Sequence, residues 1–169
     1  MLLSEMGSPL RLAAHLRAVH DVAHQLVGWV EMRYPALLFD REAVLFGAAT
    51  HDVGKTVHVS ELSGPGAQHE EAGRALLLDR GVSPGLARFS ATHASWTRSD
   101  VGLEDLLVSL ADKIWKNKRV PDLEDLIVAR LSEVTGRAVW EEFSALDEVL
   151  SRIGDQADER LAFQASFPI

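Results

Sequence analysis

Apolar residues recur at helical spacing along most of this chain, and nowhere do they settle into the two-residue alternation of a half-buried strand. That pattern restricts the fold to helices packed on helices, an all-α architecture. The first helix is predicted to begin just after Ser8–Pro9 and to end before Pro35. Its apolar face runs through Leu12, Leu16, Val19, Val22, Ala23, Leu26 and Val30. A second helix starts near Asp40 and carries Ala43, Val44, Phe46 and Gly47 up to His51. From Thr56 to Ala67 the text contains LSGPG and reads as a loop, because glycine and proline interrupt helices. A third helix spans about 69–79 and stops at Gly81, and a fourth opens at Ser83–Pro84 and reaches His93. A fifth is expected over about 103–116 and a sixth from Pro121. One last helix, over about 138–163, covers the core.

A chain of 169 residues suits one domain with one substantial core, and no repeat or linker divides it. An apolar fraction of 47% and a charged fraction of 25% are those of an ordinary soluble globule. No apolar run is long enough to span a bilayer, and the N-terminal text lacks a signal peptide's basic start and cleavage site. A cytoplasmic setting with no membrane association is expected. Cysteine is absent, so any metal must be held by histidine and carboxylate. The net charge of −8 argues against wrapping a nucleic-acid polymer, which needs a positive face. A small phosphorylated partner remains open, since bound cations would reverse the local field.

Chemistry concentrates in HDVGK, residues 51–55, at the end of the apolar run AVLFGAAT. His51 and Asp52 are two strong metal-ligand types side by side. Gly54, with no side chain, is expected to leave the nearby backbone accessible, and Lys55 brings a positive charge to a bound anion. Further candidates fall at wide intervals: His15, His69, His93 and Asp112. Asp112 interrupts the apolar stretch LLVSLADKIW, where an unpaired carboxylate is costly to bury. On the first helix His15 competes with His20 and His24. Positions four, eight and eleven beyond His15 are Val19, Ala23 and Leu26, an apolar face; beyond His20 they are His24, Gly28 and Glu31. The spacing favours His15, with His20 five residues on and able to line a cavity.

The order His15…His51–Asp52…His69…His93…Asp112 resembles the HD superfamily of metal-dependent phosphohydrolases, in its variant with two extra histidines. HLRAV at His15, HEEAG at His69 and SLADKIWK around Asp112 are similar to the family's corresponding segments. The likeness covers about residues 10–118, and helices over about 121–165 are expected to pack on that part within a single domain. It implies one ion held by His15, His51, Asp52 and Asp112, and a second held by His69 and His93, with the Asp52 carboxylate bridging. Such ions lie roughly 3.5–4 Å apart and share a hydroxide, the implied nucleophile. Two divalent transition-metal ions are therefore expected, with manganese, iron, cobalt and nickel all suitable. Asp52 and Lys55 are the implied catalytic residues, and Lys55, His58 and Lys113 the substrate-binding ones.

The implied reaction is hydrolysis of a small phosphate ester or a nucleotide. The same ligands also serve relatives that hold two iron ions and oxidise small molecules with O₂, and a metal-binding module without turnover would keep them too. Trp96 and Trp115 are candidates to flank a nucleobase. The basic run KIWKNKR, residues 113–119, reads either as a phosphate funnel or as solvated cations at a helix C-terminus.

Overall fold

The structure is a computed structural model that describes residues 7–168. Those residues form helices joined by short turns, with no strand among them. In chain order the helices are α1 (Leu10–Arg33), α2 (Arg41–Thr50), α3 (Gln68–Asp79), α4 (Pro84–Ala87), α5 (Phe89–Thr92), α6 (Leu103–Ile114), α7 (Pro121–Thr135), α8 (Val139–Gly154) and α9 (Ala157–Ala165). A 3₁₀ turn, Val53–Thr56, leads into the stretch read as a loop, and a second, Val59–Leu62, lies within it. No helix among the described residues is long and apolar enough to cross a membrane.

The core lies where α1, α2 and α6 meet. All seven apolar residues assigned to the first helix's inner face are buried. In α6, Leu106, Leu107, Val108, Leu110, Ala111 and Ile114 are buried almost all round, which makes it the central helix. Each such leucine contributes about 1.5–3 kcal/mol on leaving water. Helices α7 and α8 close the far side through Leu123, Ile127, Leu131, Leu146, Leu150 and Ile153.

Local chemistry explains most boundaries. The Asp40 side chain accepts from the Ala43 amide at 2.9 Å and starts α2. Gly81, at φ 78°, takes the left-handed conformation that ends α3. Ser8 does not cap α1: its hydroxyl bonds Thr56 at 3.0 Å instead, tying the chain start to the 3₁₀ turn after Asp52. The expected fourth helix is two short ones joined at Arg88, whose side chain is drawn to buried Asp105 at 3.1 Å. The expected last helix is also divided, after Gly154. There Gly154 meets the Asn117 side chain so closely that a Cβ would collide with it. Arg160 then donates to the Trp115 carbonyl at 2.7 Å and to the Ile153 carbonyl at 2.5 Å, turning α9 back onto α1.

One close approach sets the position of α3. Gly54 lies against the start of that helix, where a Cβ would overlap the His69 carbonyl and press on the Gly73 amide. The space beside Gly54 is therefore filled by protein backbone and is not open to a ligand, contrary to the reading from sequence. Gly73 is itself tight against Ser90 and Gly54. Gly54→Ala is expected to force α3 away from the HDVGK turn and to cost about 1–3 kcal/mol. Urea unfolding followed by circular dichroism checks this; an unchanged midpoint would show that the two segments separate freely.

Candidate metal centre

Six side chains from five places in the chain converge on one buried space. His15 comes from the second turn of α1, His51 ends α2, and Asp52 follows it before the first 3₁₀ turn. His69 is the second residue of α3, His93 caps the end of α5, and Asp112 projects from α6. Relative exposures run from 0% for His51 to 9% for His15, so water is nearly excluded from all six.

The Asp52 carboxylate divides them. Its Oδ2 lies 3.2 Å from His15 Nε2 and 3.7 Å from His51 Nε2. Its Oδ1 lies 3.0 Å from His69 Nε2 and 3.4 Å from His93 Nε2. Asp112 Oδ1 stands 3.3 Å from His51 Nε2 and joins the first set. Ligand atoms of His15, His51, Asp52 and Asp112 are thus mutually close enough to surround one cation, and those of Asp52, His69 and His93 another.

The donor atoms fit a cation. His51 and His93 each direct Nδ1 at a backbone carbonyl, Ala48 at 3.0 Å and Ser90 at 2.9 Å. A carbonyl only accepts, so Nδ1 carries the proton and the Nε2 lone pair faces inward. His69 does the same through Glu61, whose Oε2 sits 2.5 Å from Nδ1. The inward Nε2 atoms of His15, His51 and His69 are buried and make no hydrogen bond among the described residues. Unpartnered lone pairs on His51 and His69, beside the equally unpartnered His15 Nε2 and two carboxylates, would be costly unless a positive ion shares the space.

Electrostatics agree. Burial pushes the Asp52 carboxyl up, but the surrounding imidazoles, His51 foremost, outweigh it and hold it well below the usual carboxylate range. Asp112 follows the same pattern: burial raises it, and His51 and Lys113 lower it by more. Burial pulls His69 down, while Asp52 and Glu61 raise it by more, so an ion binding there would have to displace a proton from the ring. Both aspartates are anionic at neutral pH, as ligands must be.

The surrounding elements fix this geometry. Ser90 donates to the Thr50 carbonyl at 3.2 Å, binding α5 to the end of α2 and bringing His93 near His51. Thr92, beside His93, donates to buried Asp105 at 2.8 Å and so anchors α5 on α6. The His15 ring meets the Trp115 indole edge-on, with centroids 4.8 Å apart.

The other residues singled out in the sequence are distributed unequally. Lys55 Nζ lies 2.6 Å from Asp52 Oδ2, and Lys113 pairs with Asp112 Oδ2. His20 sits beside Asp21 with a side chain 39% exposed, and His24 is exposed, so neither lines the centre. His58 precedes the second 3₁₀ turn. Trp115 is wedged against His15 and buried, which leaves no free face for a nucleobase. Trp96 packs on the core, with the Lys113 ammonium 5.9 Å from its ring centroid.

Glu61 escaped the sequence reading. It accepts from the His69 and Gln68 amides, both at 3.1 Å, as well as from the His69 ring. Nothing in the sequence marks it, because an acidic residue in a turn eight positions before a histidine has no periodic relation to it.

A family model of the HD domain matches residues 10–131. The chain belongs to the HD domain family. No curated protein and no solved structure matches it. The family match reaches further than the motifs suggest, into α7, and leaves α8 and α9 beyond it. The HD residues themselves are His51 and Asp52, at the junction the rest of the centre surrounds.

Two outcomes are expected from this geometry. His15→Ala should weaken metal binding more than the about 10–100-fold that loss of an outer partner costs, whereas His20→Ala and His24→Ala should leave it within about twofold. Competition with a chromogenic chelator measures all three. Glu61→Ala should weaken binding by about 10–100-fold while leaving the fold intact, because it removes the acceptor that fixes the His69 ring; wild-type affinity in that variant would remove Glu61 from the centre.

Proposed function

We propose that this chain is a metal-dependent phosphohydrolase acting on small phosphate esters. The observation that carries the reading is the shared Asp52 carboxylate, one oxygen turned to each of two histidine sets. Divalent metal ions held by His15, His51, Asp52 and Asp112, and by Asp52, His69 and His93, would supply an activated water and neutralise phosphate oxygens.

The chain's own side chains supply the rest. Lys55 stands at the edge of the centre and lines an adjoining cavity, where its ammonium meets the charge that builds on phosphate in the transition state. Lys113 neutralises Asp112 and adds to the same field. Burial of the imidazoles lowers the local dielectric and strengthens each of these interactions. In the net reaction water adds to phosphorus, the P–O ester bond breaks, and the leaving group departs as an alcohol. His58 would assist departure by donating a proton, if the loop before α3 brings it to the substrate.

Histidine and carboxylate ligation also suits an iron centre that uses O₂. The cavity favours the hydrolytic reading, since Arg11, Lys55 and Lys116 are among the residues that line it and no acidic side chain is, although Lys55 reaches back to Asp52. A cationic wall selects an anion.

Asp52 is the residue whose loss should be most damaging. Asp52→Asn keeps the size, removes the charge both sets share, and should abolish metal-dependent hydrolysis of an aryl phosphate, a fall of at least about 100-fold. Lys55→Ala should keep the metal content of wild type, near two ions per chain, and lose mainly kcat. Metal analysis and kinetics on the same preparations decide it. Wild-type rate in Asp52→Asn would sink the proposal. So would wild-type protein that consumes O₂ with an organic substrate and cleaves no phosphoester.

A further inference from the structure

Beside the metal centre lies a cavity of about 140 Å³, bounded by Arg11, His15, Lys55, Leu62, Trp115, Lys116 and Gln164. It draws on both ends of the chain. Arg11, in the first turn of α1, donates to the Phe167 carbonyl at 2.9 Å, and the Arg11 amide donates to Pro168 at 3.1 Å. These bonds lay the end of α9 across the start of α1 and set Gln164 in the cavity wall. That part of the wall lies outside the stretch matched by the family.

Charge in this wall exceeds what one phosphate needs. Lys55 is engaged at the Asp52 side of the cavity, where the scissile phosphate would sit, and Lys113 behind it pairs with Asp112. The Lys116 ammonium forms no hydrogen bond or ion pair among the described residues, and it stands 5.9 Å from the Trp115 ring centroid at the cavity mouth. The Arg11 side chain bonds only backbone carbonyls, which leaves its full charge unneutralised. Two uncompensated cations therefore face the cavity in a chain whose net charge is −8. Size sets the other limit. Pockets that hold drug-sized ligands run to roughly 300–1,000 Å³, so this one suits a short carbon skeleton and not a nucleoside.

We propose that the cavity takes the leaving group of a short-chain phosphate ester that carries a second anionic group, a carboxylate or another phosphate, with Lys116 and Arg11 as its binding residues. The inference rests on the hydrolase reading for the scissile phosphate but concerns the opposite end of the substrate. Lys55 holds the phosphate beside Asp52, and Lys116 holds the second anion at the mouth. An ester of equal length with no second anionic group leaves Lys116 unpaired and gains nothing from it.

The test compares two probes of equal length, 3-phosphoglycerate and glycerol 3-phosphate, which differ by a carboxylate in place of a hydroxymethyl group. Calorimetric titration into the metal-loaded full chain should show the carboxylate-bearing probe binding about tenfold more tightly at low ionic strength. The advantage should shrink as salt screens the contact. Lys116→Gln should reduce it below about twofold, and Lys116→Arg should keep it. Equal binding of the two probes by wild type would overturn the inference, as would an advantage that survives in Lys116→Gln, which would place the carboxylate on the metal. Aryl phosphate hydrolysis measured alongside separates the two readings. Turnover without the binding preference leaves the hydrolase standing and removes the second-anion site; the preference without any turnover does the reverse.

Discussion

Burying the Asp52 carboxylate at 3% exposure would be prohibitive on its own; Lys55 offsets part of that cost, and a cation held among the four surrounding imidazoles would offset the rest. Each helix that bears a candidate ligand brings one residue to this point. α1 delivers His15, α2 ends at His51, α3 begins with His69, α5 ends with His93 and α6 carries Asp112. Most of these ligands sit at helix ends, where the backbone leaves the helical path and neighbouring side chains are no longer forced about 100° apart. That is how His51 and Asp52, adjacent in sequence, turn toward one point.

The second constraint is backbone contact. Gly54 and Gly73 allow the turn after Asp52 to lie against the first turns of α3, with Ser90 closing the third side. The residues flanking the ligands are thus chosen for the space they leave, and HDVGK and HEEAG are two halves of one contact. Outer hydrogen bonds complete the arrangement. Ala48, Ser90 and Glu61 fix the rings of His51, His93 and His69 by holding the Nδ1 protons.

Beyond the family-matched stretch the chain does something different. Glu142 of α8, fully buried, accepts from Tyr34 and from Thr135 at 3.1 Å, which locks α8 to the end of α1. Burial and the Glu142 charge push the Tyr34 hydroxyl up to about 12, so it stays a donor at physiological pH. α9 then folds back through Arg160 and is fastened by Arg11. Gln164 of α9, a helix that carries no candidate ligand, thereby joins the cavity wall.

The periodicity of apolar residues was enough to determine an all-α fold and the buried face of α1, because helical burial is written locally, three and four residues apart. The family, and the types of side chain at its centre, were also legible, since HDVGK and the spaced histidines are chemistry in the open. Helix continuity was not: apolar spacing runs on through Arg88 and Gly154, where the structure divides the helices, and the neighbours met there, Asp105 and Asn117, are distant in sequence. Spacing favoured His15 over His20 and His24, and the tertiary structure puts His15 buried within the cluster, His20 part-exposed and His24 exposed. Lys116 was legible only as one member of the basic run 113–119, and Glu61, Arg11 and Gln164 left no trace in the pattern. Their roles come from contacts across as many as 156 residues, and a contact of that span depends on where the whole chain comes to rest.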